Sequence, residues 1–369
     1  MTTRPRVRAA RRPAAPFALA LGAMFGALGV MLGGLAGCAP NEYPQSSLSP
    51  HSDFARWIQG LNIELVAWVA VIFLTVTTLL VTAVVRFRAR SGAPEPRQVH
   101  GNTALEIAWT VAPAIILTLV AVPTVLTIFR TQSAPPHTDL TVKVTGHQWW
   151  WEFEYPDLGV VTADEFHLPL GRTAVFDIGS ADVIHSFWVP AMGGKRDAIP
   201  NRTNHMWFTP SALGVYPGQC TEFCGASHAN MRLRLFVDTP AEFAAWVARQ
   251  KQPPVGGGAA AESTAAMAAV AAAPSGLSPL ALEGKAVFGR SACVGCHTIA
   301  GISAGVMGPN LTHFASRGTF AGATFERDPE NLRRWLADPP AMKPGALMPK
   351  LGLAPADIEA LVAYLQSLK

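Results

Sequence analysis

The sequence lacks the features that several large classes of protein require. No stretch of its 369 residues combines clustered basic side chains with interleaved aromatic ones, and the formal net charge is only +4, so a nucleic-acid partner is not expected. Only five cysteines are present, few enough for each to have its own role. Half of the residues are hydrophobic. The chain is therefore too long for one domain and too apolar for a purely soluble protein.

Two apolar runs, residues 63–85 and 107–129, are each long enough to cross a bilayer as a helix. The loop between them contains four arginines against one glutamate: Arg86, Arg88, Arg90, Arg97 and Glu95. Such an excess of basic residues is typical of a cytoplasmic loop. The two runs are thus predicted to form a helical hairpin, with everything after Arg130 in the periplasm.

The first 38 residues have the pattern of a secretory signal with a lipoprotein-type ending. Several arginines are followed by an apolar, glycine-rich run and then by Leu35, Ala36, Gly37 and Cys38. Cleavage before Cys38 would leave its thiol to carry a lipid. The alternative is an uncleaved membrane helix over residues 17–37.

The segment GQCTEFCGASHANM, residues 218–231, concentrates potential metal ligands. The candidate ligands are Cys220, Cys224, His228 and Met231, together with His185 from the upstream segment DVIHSFWVP. Thiolate, thioether and imidazole groups together select copper over magnesium or calcium, and a mononuclear blue-copper site needs only one cysteine. The second cysteine therefore indicates two copper ions that share two bridging thiolates. A disulfide between Cys220 and Cys224 in an oxidising compartment is the alternative.

Short alternating and β-branched runs extend from about residue 140 to residue 237, separated by glycine, proline and aspartate. This pattern predicts an antiparallel β-sandwich. Within it, three successive tryptophans are expected on one strand, where Trp149 and Trp151 would share a face and Trp150 would take the other. Four carboxylates are candidates for an acidic rim that steers a basic redox partner: Glu152, Glu154, Asp157 and Asp182.

The last part of the chain contains a c-type haem attachment motif, Cys293-Val-Gly-Cys296-His297. Its two thiols would form thioethers with the haem vinyl groups, and His297 would bind the iron. A zinc ribbon would need a second pair of ligands, and a thioredoxin-like redox pair would need a βαβ pattern; the sequence offers neither.

The second axial ligand of the iron must come from farther along the chain, and three methionines compete: Met307, Met342 and Met348. Met348 is favoured because Pro349 follows it in a loop rich in glycine and proline, before a predicted helix over residues 355–368. In this arrangement the domain resembles the monohaem class I cytochromes c. Methionine ligation would give a higher potential than two histidines.

The motifs CxExCGxxHxxM, HSFWVP and GHQWWWEF, with the chain from about residue 57 to residue 237, resemble subunit II of the haem-copper cytochrome c oxidases. The resemblance implies a dinuclear CuA centre with the side chains of His185, Cys220, Cys224, His228 and Met231 as ligands, completed by the backbone carbonyl of Glu222. It also implies that the Glu222 carboxylate reaches a magnesium ion shared with the catalytic subunit.

The same resemblance assigns roles to residues outside the copper ligands. It implies that Trp149 is the surface residue through which electrons reach the copper. It matches Glu106 to a glutamate at the entrance of a proton path into the catalytic subunit, while the residues alone predict a capping box from Thr103 to Glu106. It places residues 195–202, KRDAIPNR, beside the catalytic subunit.

As a whole, the chain resembles subunit II of the caa-type oxidases, in which a cytochrome c is fused to the CuA domain. The fold class expected is a multidomain membrane protein with a two-helix transmembrane hairpin, an all-β cupredoxin sandwich and an all-α class I cytochrome c domain. The predicted segments are a signal (1–38), an N-terminal periplasmic segment (39–60), the hairpin (61–131), the CuA domain (132–250), an Ala/Gly/Pro-rich linker (251–279) and the cytochrome c domain (280–369).

The function implied is electron relay in a respiratory chain, from the one covalent haem c to CuA and on to an oxygen-reducing subunit. The implied partners are the catalytic subunit I, subunit III, and a reductant such as a c-type cytochrome or a cytochrome bc complex. The expected location is the bacterial cytoplasmic membrane, multi-pass, with both redox domains on the periplasmic side. The alternative is a membrane-anchored copper and haem electron carrier that is not associated with an oxidase.

Overall fold

The computed structural model describes residues 43–254 and 276–369, apart from residues 90, 93, 96, 97, 134 and 136. The predicted signal with Cys38, and most of the predicted linker, lie outside the described residues. The described part contains two long apolar helices, a β-sandwich and a C-terminal helical domain, which is the fold class that the sequence predicts. The boundaries assigned to the six segments stay a prediction.

Two helices correspond to the apolar runs, and each is longer than the run itself. Helix α1 is Asp53–Arg86 and helix α2 is Thr103–Gln132, and no part of the most apolar stretch of either helix is buried by the rest of the protein. Both helices are long and apolar enough to cross a membrane.

The start of α2 differs from the prediction. The side chain of Asn102 accepts hydrogen bonds from the backbone N–H groups of Ala104 and Leu105, so Asn102 is the N-cap and the predicted capping box from Thr103 is wrong. Asparagine is a stronger capping residue than threonine, and it precedes Thr103 directly. Glu106 lies in the first turn of α2, as predicted.

The hairpin is anchored to the sandwich at the start of α1 and at the end of α2. Phe54 in α1 is buried in the sandwich core, and the Ser52 hydroxyl donates a hydrogen bond to the carbonyl of Met192 over 2.6 Å. After α2, the carbonyl of Ser133 accepts a hydrogen bond of 2.7 Å from the indole of Trp207. The start of α1 also reaches Trp207, whose ring centroid is 5.7 Å from that of Trp57, so both helix ends contact the same strand of the sandwich.

The sandwich contains two five-stranded sheets. The first has the order β3-β2-β1-β5-β8, with β1 Leu140–His147, β2 Trp150–Tyr155, β3 Val160–Ala163, β5 Ala174–Ser180 and β8 Asn204–Phe208. The second has the order β4-β10-β9-β6-β7, with β4 Glu165–Pro169, β6 His185–Trp188, β7 Arg196–Ala198, β9 Gly214–Cys220 and β10 Arg232–Asp238. Large apolar side chains such as Trp151, Phe153, Phe166 and Phe187 are fully buried in its core.

The sheets are mixed, whereas the sequence predicted antiparallel pairing throughout. Strand β5 runs parallel to β1, and β4 runs parallel to β10. The chain leaves the first sheet at Asp164, runs through β4 in the second sheet and then returns as β5, so these strands have no hairpin to impose antiparallel pairing. The alternation of side chains cannot distinguish the two directions.

Strand β2 begins only at Trp150, so the predicted division of three tryptophans along one strand is wrong for Trp149. Trp149 lies in a turn before the strand. All three side chains are nevertheless buried, and Trp150 stacks on His147 with ring centroids 4.1 Å apart. Because Trp149 lies outside the strand, the alternation of side chains along β2 does not set the direction of its ring.

The C-terminal domain is built mainly from helices. They are α4 Pro279–Arg290, α5 Cys293–Cys296, α6 Pro329–Ala337, α7 Pro339–Met342 and α8 Pro355–Ser367, after α3 Pro240–Gln250, which follows the sandwich. Two short ladders join β11 Thr298–Ile299 to β12 Ser303–Ala304 and β13 Thr319–Phe320 to β14 Phe325–Glu326. Helix α8 confirms the predicted helix and crosses α4 at Gly284, where a side chain would collide with the carbonyl of Ala360.

Candidate metal and haem sites

Two sulfur atoms form the centre of the candidate metal site. Cys220 ends β9, Cys224 lies in the loop that follows, and their Sγ atoms are 3.7 Å apart. A disulfide would require about 2.05 Å. Both cysteines are free thiols, so the disulfide alternative does not describe this structure.

The other predicted ligands surround this pair. The Nδ1 atom of His185 is 3.9 Å from the Sγ of Cys220, and the carbonyl oxygen of Glu222 is 3.3 Å from the same sulfur. On the other side, the Nδ1 of His228 is 3.5 Å and the Sδ of Met231 is 3.8 Å from the Sγ of Cys224. The four other predicted donor groups therefore converge on the two sulfurs.

The donor set fits a pair of soft metal ions. Each sulfur lies between its partner sulfur and one imidazole, while the carbonyl and the thioether take opposite sides. His185 and Met231 are fully buried, and both cysteines are nearly so. Two bridging thiolates with one nitrogen each suit copper. Among the described residues, the cluster of His185, Cys220 and Cys224 has its ligating atoms within 4.8 Å of one another.

The surroundings of the sulfurs favour thiolate formation. The contact between the two thiols lowers the pKa of Cys220 against the opposing effect of burial, with His185 contributing in the same direction, and it raises the pKa of Cys224. The pair can therefore give up its first proton near neutral pH, and a thiolate is the form that binds a metal.

Asp182 orients one of the imidazoles. Its Oδ1 is 2.7 Å from the Nε2 of His185, which leaves Nδ1 directed at Cys220. Burial alone would lower the pKa of His185, but the hydrogen bonds to Asp182 and Cys220 raise it. The sequence offered Asp182 as part of an acidic rim. The structure shows it supporting a metal ligand, a role that its position three residues before His185 could have suggested.

Trp149 and Gln148 hold the second cysteine. The indole Nε1 of Trp149 donates to the carbonyl oxygen of Cys224 over 3.0 Å, and the side-chain amide of Gln148 donates to the same oxygen over 2.7 Å. Gly225 allows this approach, because a Cβ there would be 3.0 Å from the Trp149 ring. Trp149 is in direct contact with the ligand loop, and it is only 8% exposed, so the expectation of a surface residue is wrong.

The haem motif lies beside an apolar cavity. Cys293 and Cys296 bound the short helix α5, and both line the cavity with His297. The Nδ1 of His297 is 2.9 Å from the carbonyl oxygen of Pro309, so Nε2 remains available to bind the iron. A Cβ at Gly308 would be 2.5 Å from the His297 ring, so the loop packs directly on the imidazole. Apolar residues that line the cavity include Phe288, Leu332, Leu336, Leu361 and Leu365, as a haem requires.

The positions of the three candidate methionines relative to the cavity distinguish them. Met307 and Met348 line it and Met342 does not. Met348 also packs against the core of the domain, whereas Met307 is 75% exposed. An axial ligand is held in place by packing, so these positions favour Met348.

The same cavity reaches the copper domain, which is the β-sandwich that carries the candidate copper ligands. Four of its lining residues belong to the sandwich or to the turn before β2: Gln148, Trp149, Trp150 and Asp164. Trp149 therefore contacts the candidate copper loop through its indole nitrogen and also forms part of the wall of the haem cavity. No pattern in the sequence indicated that the two sites share this wall.

Glu106 is not brought to the copper site. The opposite end of α2 is the one that contacts the sandwich, and the 26 residues between Glu106 and Gln132 correspond to about 40 Å of helix. The side chain of Glu222 is exposed beside the ligand loop, and residues 195–202 include the edge strand β7 of the second sheet. These positions leave all three free to contact another subunit.

Comparison with known proteins agrees with this architecture. Three family models match the chain: the transmembrane domain of cytochrome c oxidase subunit II over residues 43–126, its periplasmic domain over residues 161–237, and cytochrome c over residues 281–369. Cytochrome c oxidase subunit 2 of Alkalihalophilus pseudofirmus is 37% identical over 342 residues, which cover 91% of this chain and 94% of that protein. The chain belongs to the cytochrome c oxidase subunit 2 family.

Further relatives are similar over less of the chain. Cytochrome c oxidase subunit 2 of Bacillus sp. strain PS3 is 37% identical over 304 residues, covering 77% of this chain and 80% of that protein. Among solved structures, the periplasmic domain of subunit II of cytochrome oxidase from Bradyrhizobium japonicum is 38% identical and covers 31% of this chain and 96% of that chain, with a TM-score of 0.31.

Family membership carries several conclusions. The chain is a subunit of an oxidoreductase complex that transports electrons, and it is associated with a membrane through a domain with two helices. The periplasmic domain implies copper and the C-terminal domain implies haem, and the residues present fit both groups. The predicted family, fold class and function are confirmed.

Proposed function

We propose that this chain receives electrons at a covalently attached haem and delivers them, through Trp149, to a dinuclear copper site. When bound, the haem iron and the copper pair each accept and release single electrons. Cys293 and Cys296 attach the haem, and His297 and Met348 bind its iron. The copper ligands are His185, Cys220, Cys224, His228, Met231 and the Glu222 carbonyl.

The position of Trp149 supports this proposal most strongly. Its ring lies in the wall of the haem cavity, and its indole nitrogen donates to the carbonyl of Cys224. One buried aromatic residue thus connects the two candidate sites. A rigid connection of this kind requires little reorganisation when charge moves.

The stiffness of the sandwich serves the same purpose. His185 stands on β6 and Cys220 on β9, and these strands pair through Phe187 and Cys220. Gln148 and Trp149 donate hydrogen bonds to the ligand loop, and the Asp182 carboxylate accepts one from His185 on β6. A site held in this way keeps its geometry in both redox states, and the reaction itself is left to another subunit.

The complex that receives the electrons contains, in this proposal, the catalytic subunit I and subunit III. The Glu222 carboxylate holds a magnesium ion at the boundary with subunit I, residues 195–202 face that subunit, and Glu106 lies at the entrance of its proton path. The chain crosses the bacterial inner membrane twice. A c-type cytochrome or a cytochrome bc complex supplies the electrons.

The alternative function, an electron carrier without an oxidase, is less well supported. A carrier needs one membrane anchor, whereas the described part of this chain has two helices that are long enough to cross the membrane, and their apolar surfaces are unburied. Surfaces of this kind suit neighbouring helices of a complex. Co-purification separates the two functions, because only the oxidase subunit should carry haem-a-type absorbance and oxygen consumption with it.

Replacement of Cys224 by serine tests the copper site. The variant should lose the near-infrared absorption of mixed-valence copper and keep the c-type haem spectrum, because the haem ligands lie in another domain. Phe223→Leu is the matched control, since Phe223 is in the same loop but is 77% exposed and is not a ligand. An unchanged near-infrared spectrum in the Cys224→Ser variant would refute the dinuclear site.

A further inference from the structure

Two buried carboxylates of the copper domain accept hydrogen bonds from the cytochrome domain. They are Asp164 and Glu165, at the corner between β3 and β4, and they are 2% and 4% exposed. The Glu165 carboxylate accepts from the backbone N–H of Gly318 over 2.9 Å and from that of Thr319 over 2.8 Å. Asp164 accepts from the N–H of Gly322 over 2.8 Å. Hydrogen bonds to an ionised acceptor are about twice as strong as neutral ones.

A buried lysine of the cytochrome domain donates a hydrogen bond to the copper domain. The Nζ of Lys343, in the cytochrome domain, donates to the carbonyl of Trp149 over 2.6 Å and to that of Ala321 over 2.7 Å. Lys343 is 3% exposed and Arg317 of the same domain is 6% exposed. Neither cation forms a direct ion pair with the carboxylates, but Lys343 attracts Asp164 electrostatically, and Arg317 attracts both Asp164 and Glu165.

The loops that make these contacts pack directly against Trp149. A Cβ at Gly345 would be 2.8 Å from the Trp149 ring and 3.1 Å from the Cβ of Ala226, and one at Gly322 would be 2.7 Å from the Trp149 carbonyl. Both glycines have positive φ angles, of +80° and +76°, which other residues rarely adopt. At these two positions no side chain fits between the cytochrome loops and Trp149.

From these contacts we infer that the cytochrome domain is locked onto the copper domain as a permanent cover, so that Trp149 receives electrons from the attached haem and is closed to every external redox protein. The lock consists of Asp164, Glu165 and Lys343 with the loop amides that they contact. This inference rests on the proposed function and deepens it, because it makes the attached haem the obligatory route to the copper.

The lock can be tested in the intact complex by inserting a side chain where the structure leaves no room. Gly345→Phe should push the loop away from Trp149. Gly289→Phe is the matched control, because a Cβ at Gly289 meets nothing within 4 Å. Hydrogen exchange at the backbone amides of Gly318, Thr319 and Gly322 should be slow in the wild type and in the control, and roughly tenfold or more faster in Gly345→Phe.

A second variant acts on the lock without adding bulk, by removing one charge and one hydrogen-bond acceptor. Glu165→Gln keeps the shape of the side chain and should accelerate exchange at Gly318 and Thr319. Glu154→Gln is its control, because Glu154 is paired with the surface residue Lys143. Fast exchange of these amides in the wild type, or equal exchange in Glu165→Gln and its control, would overturn the inference.

Stopped-flow mixing with a reduced soluble c-type cytochrome gives an independent readout. In the wild type the haem should be reduced before the copper, and the copper step should not depend on donor concentration. In Gly345→Phe a copper step that is first order in donor should appear. Copper reduction ahead of the haem in the wild type would overturn the lock, whereas absence of the copper or haem spectrum would contradict the proposed function itself.

Discussion

The copper domain and the cytochrome domain hold their cofactors in opposite ways. In the copper domain the ligand atoms are already in mutual contact, and side chains outside the ligand set, such as Asp182 and Trp149, hold them there. In the cytochrome domain His297 and Met348 line a cavity whose other walls are mostly apolar. The protein alone brings the ligands of the copper site into contact, whereas the core of the cytochrome domain is built around a cavity that suits the haem.

This difference follows from the two cofactors. Copper ions are small, and their affinity and potential depend on the geometry of a few donors, so a stiff sandwich that fixes those donors is effective. A haem is a large apolar group whose burial contributes to stability like that of core side chains. The sandwich should therefore tolerate loss of its metal, and the helical domain should not tolerate loss of its haem.

The largest effect is expected from removing the haem attachment. In the double variant Cys293→Ala, Cys296→Ala the haem would no longer be covalently held, and the unfilled cavity should cost on the order of 5 kcal/mol, enough to unfold a marginally stable domain. Residues 280–369 should become sensitive to protease while the sandwich remains resistant. Haem staining after denaturing electrophoresis measures the attachment.

Cys224→Ser is the counterpart in the other domain and should leave both domains resistant to protease. If the double variant keeps its haem through denaturation, the attachment is wrong. If its C-terminal domain stays protease-resistant, the haem does not stabilise that domain as part of its core. The proposed difference between the two domains would then be wrong.

A smaller effect is expected from loosening one copper ligand. Asp182→Asn removes the charge that orients His185 and should weaken copper binding roughly 10- to 100-fold, with the fold intact. Competition with a copper chelator measures the affinity. Asp177→Asn is the control, since Asp177 also pairs with a histidine, the exposed His205, over 2.8 Å. Equal affinities in the two variants would mean that Asp182 belongs to the acidic surface after all.

Per pH unit, the smallest effect concerns the acid stability of the copper domain. Burial lowers the pKa of His147 from 6.5 to about 4, and its Nε2 has no hydrogen-bond partner. The unfolded chain therefore binds this proton first, and stability should fall by up to about 1.4 kcal/mol per unit as the pH drops from 6.5 to 4. Urea unfolding across this range measures the slope.

His147→Phe should flatten that slope, because phenylalanine can keep the stack on Trp150 without titrating. The conservative change His147→Gln also cannot titrate and should flatten it as well. A slope that persists in both variants would assign the acid sensitivity to other groups.

Much of the candidate site was predictable because its chemistry is local. Cys220, Cys224, His228 and Met231 lie on one short loop, and the haem motif occupies five consecutive positions. Residue types and spacing are sufficient for such groups, since a loop brings them together without help from the rest of the fold. Resemblance to a family then added the Glu222 carbonyl, which no composition or spacing indicates.

Prediction failed where a role depends on contacts between distant segments. Trp149 was expected on a strand and at the surface, but it lies in a turn and is covered by a domain that begins more than a hundred residues later. Asp164, Glu165 and Lys343 carry no motif at all. Each of them contacts a backbone group of the other domain, and a backbone amide or carbonyl leaves no trace in a sequence.

The sequence by itself determined the apolar helices, the β-sandwich, the haem motif and the candidate metal ligands of residues 220–231, because hydrophobic periodicity and ligand spacing act over a few residues. Only the tertiary structure decided the parallel pairing of β1 with β5, the role of Asp182 and the burial of Trp149 between the two sites. These features arise from packing between segments far apart in the chain, where the direction of a strand or the approach of a loop is set by the whole fold.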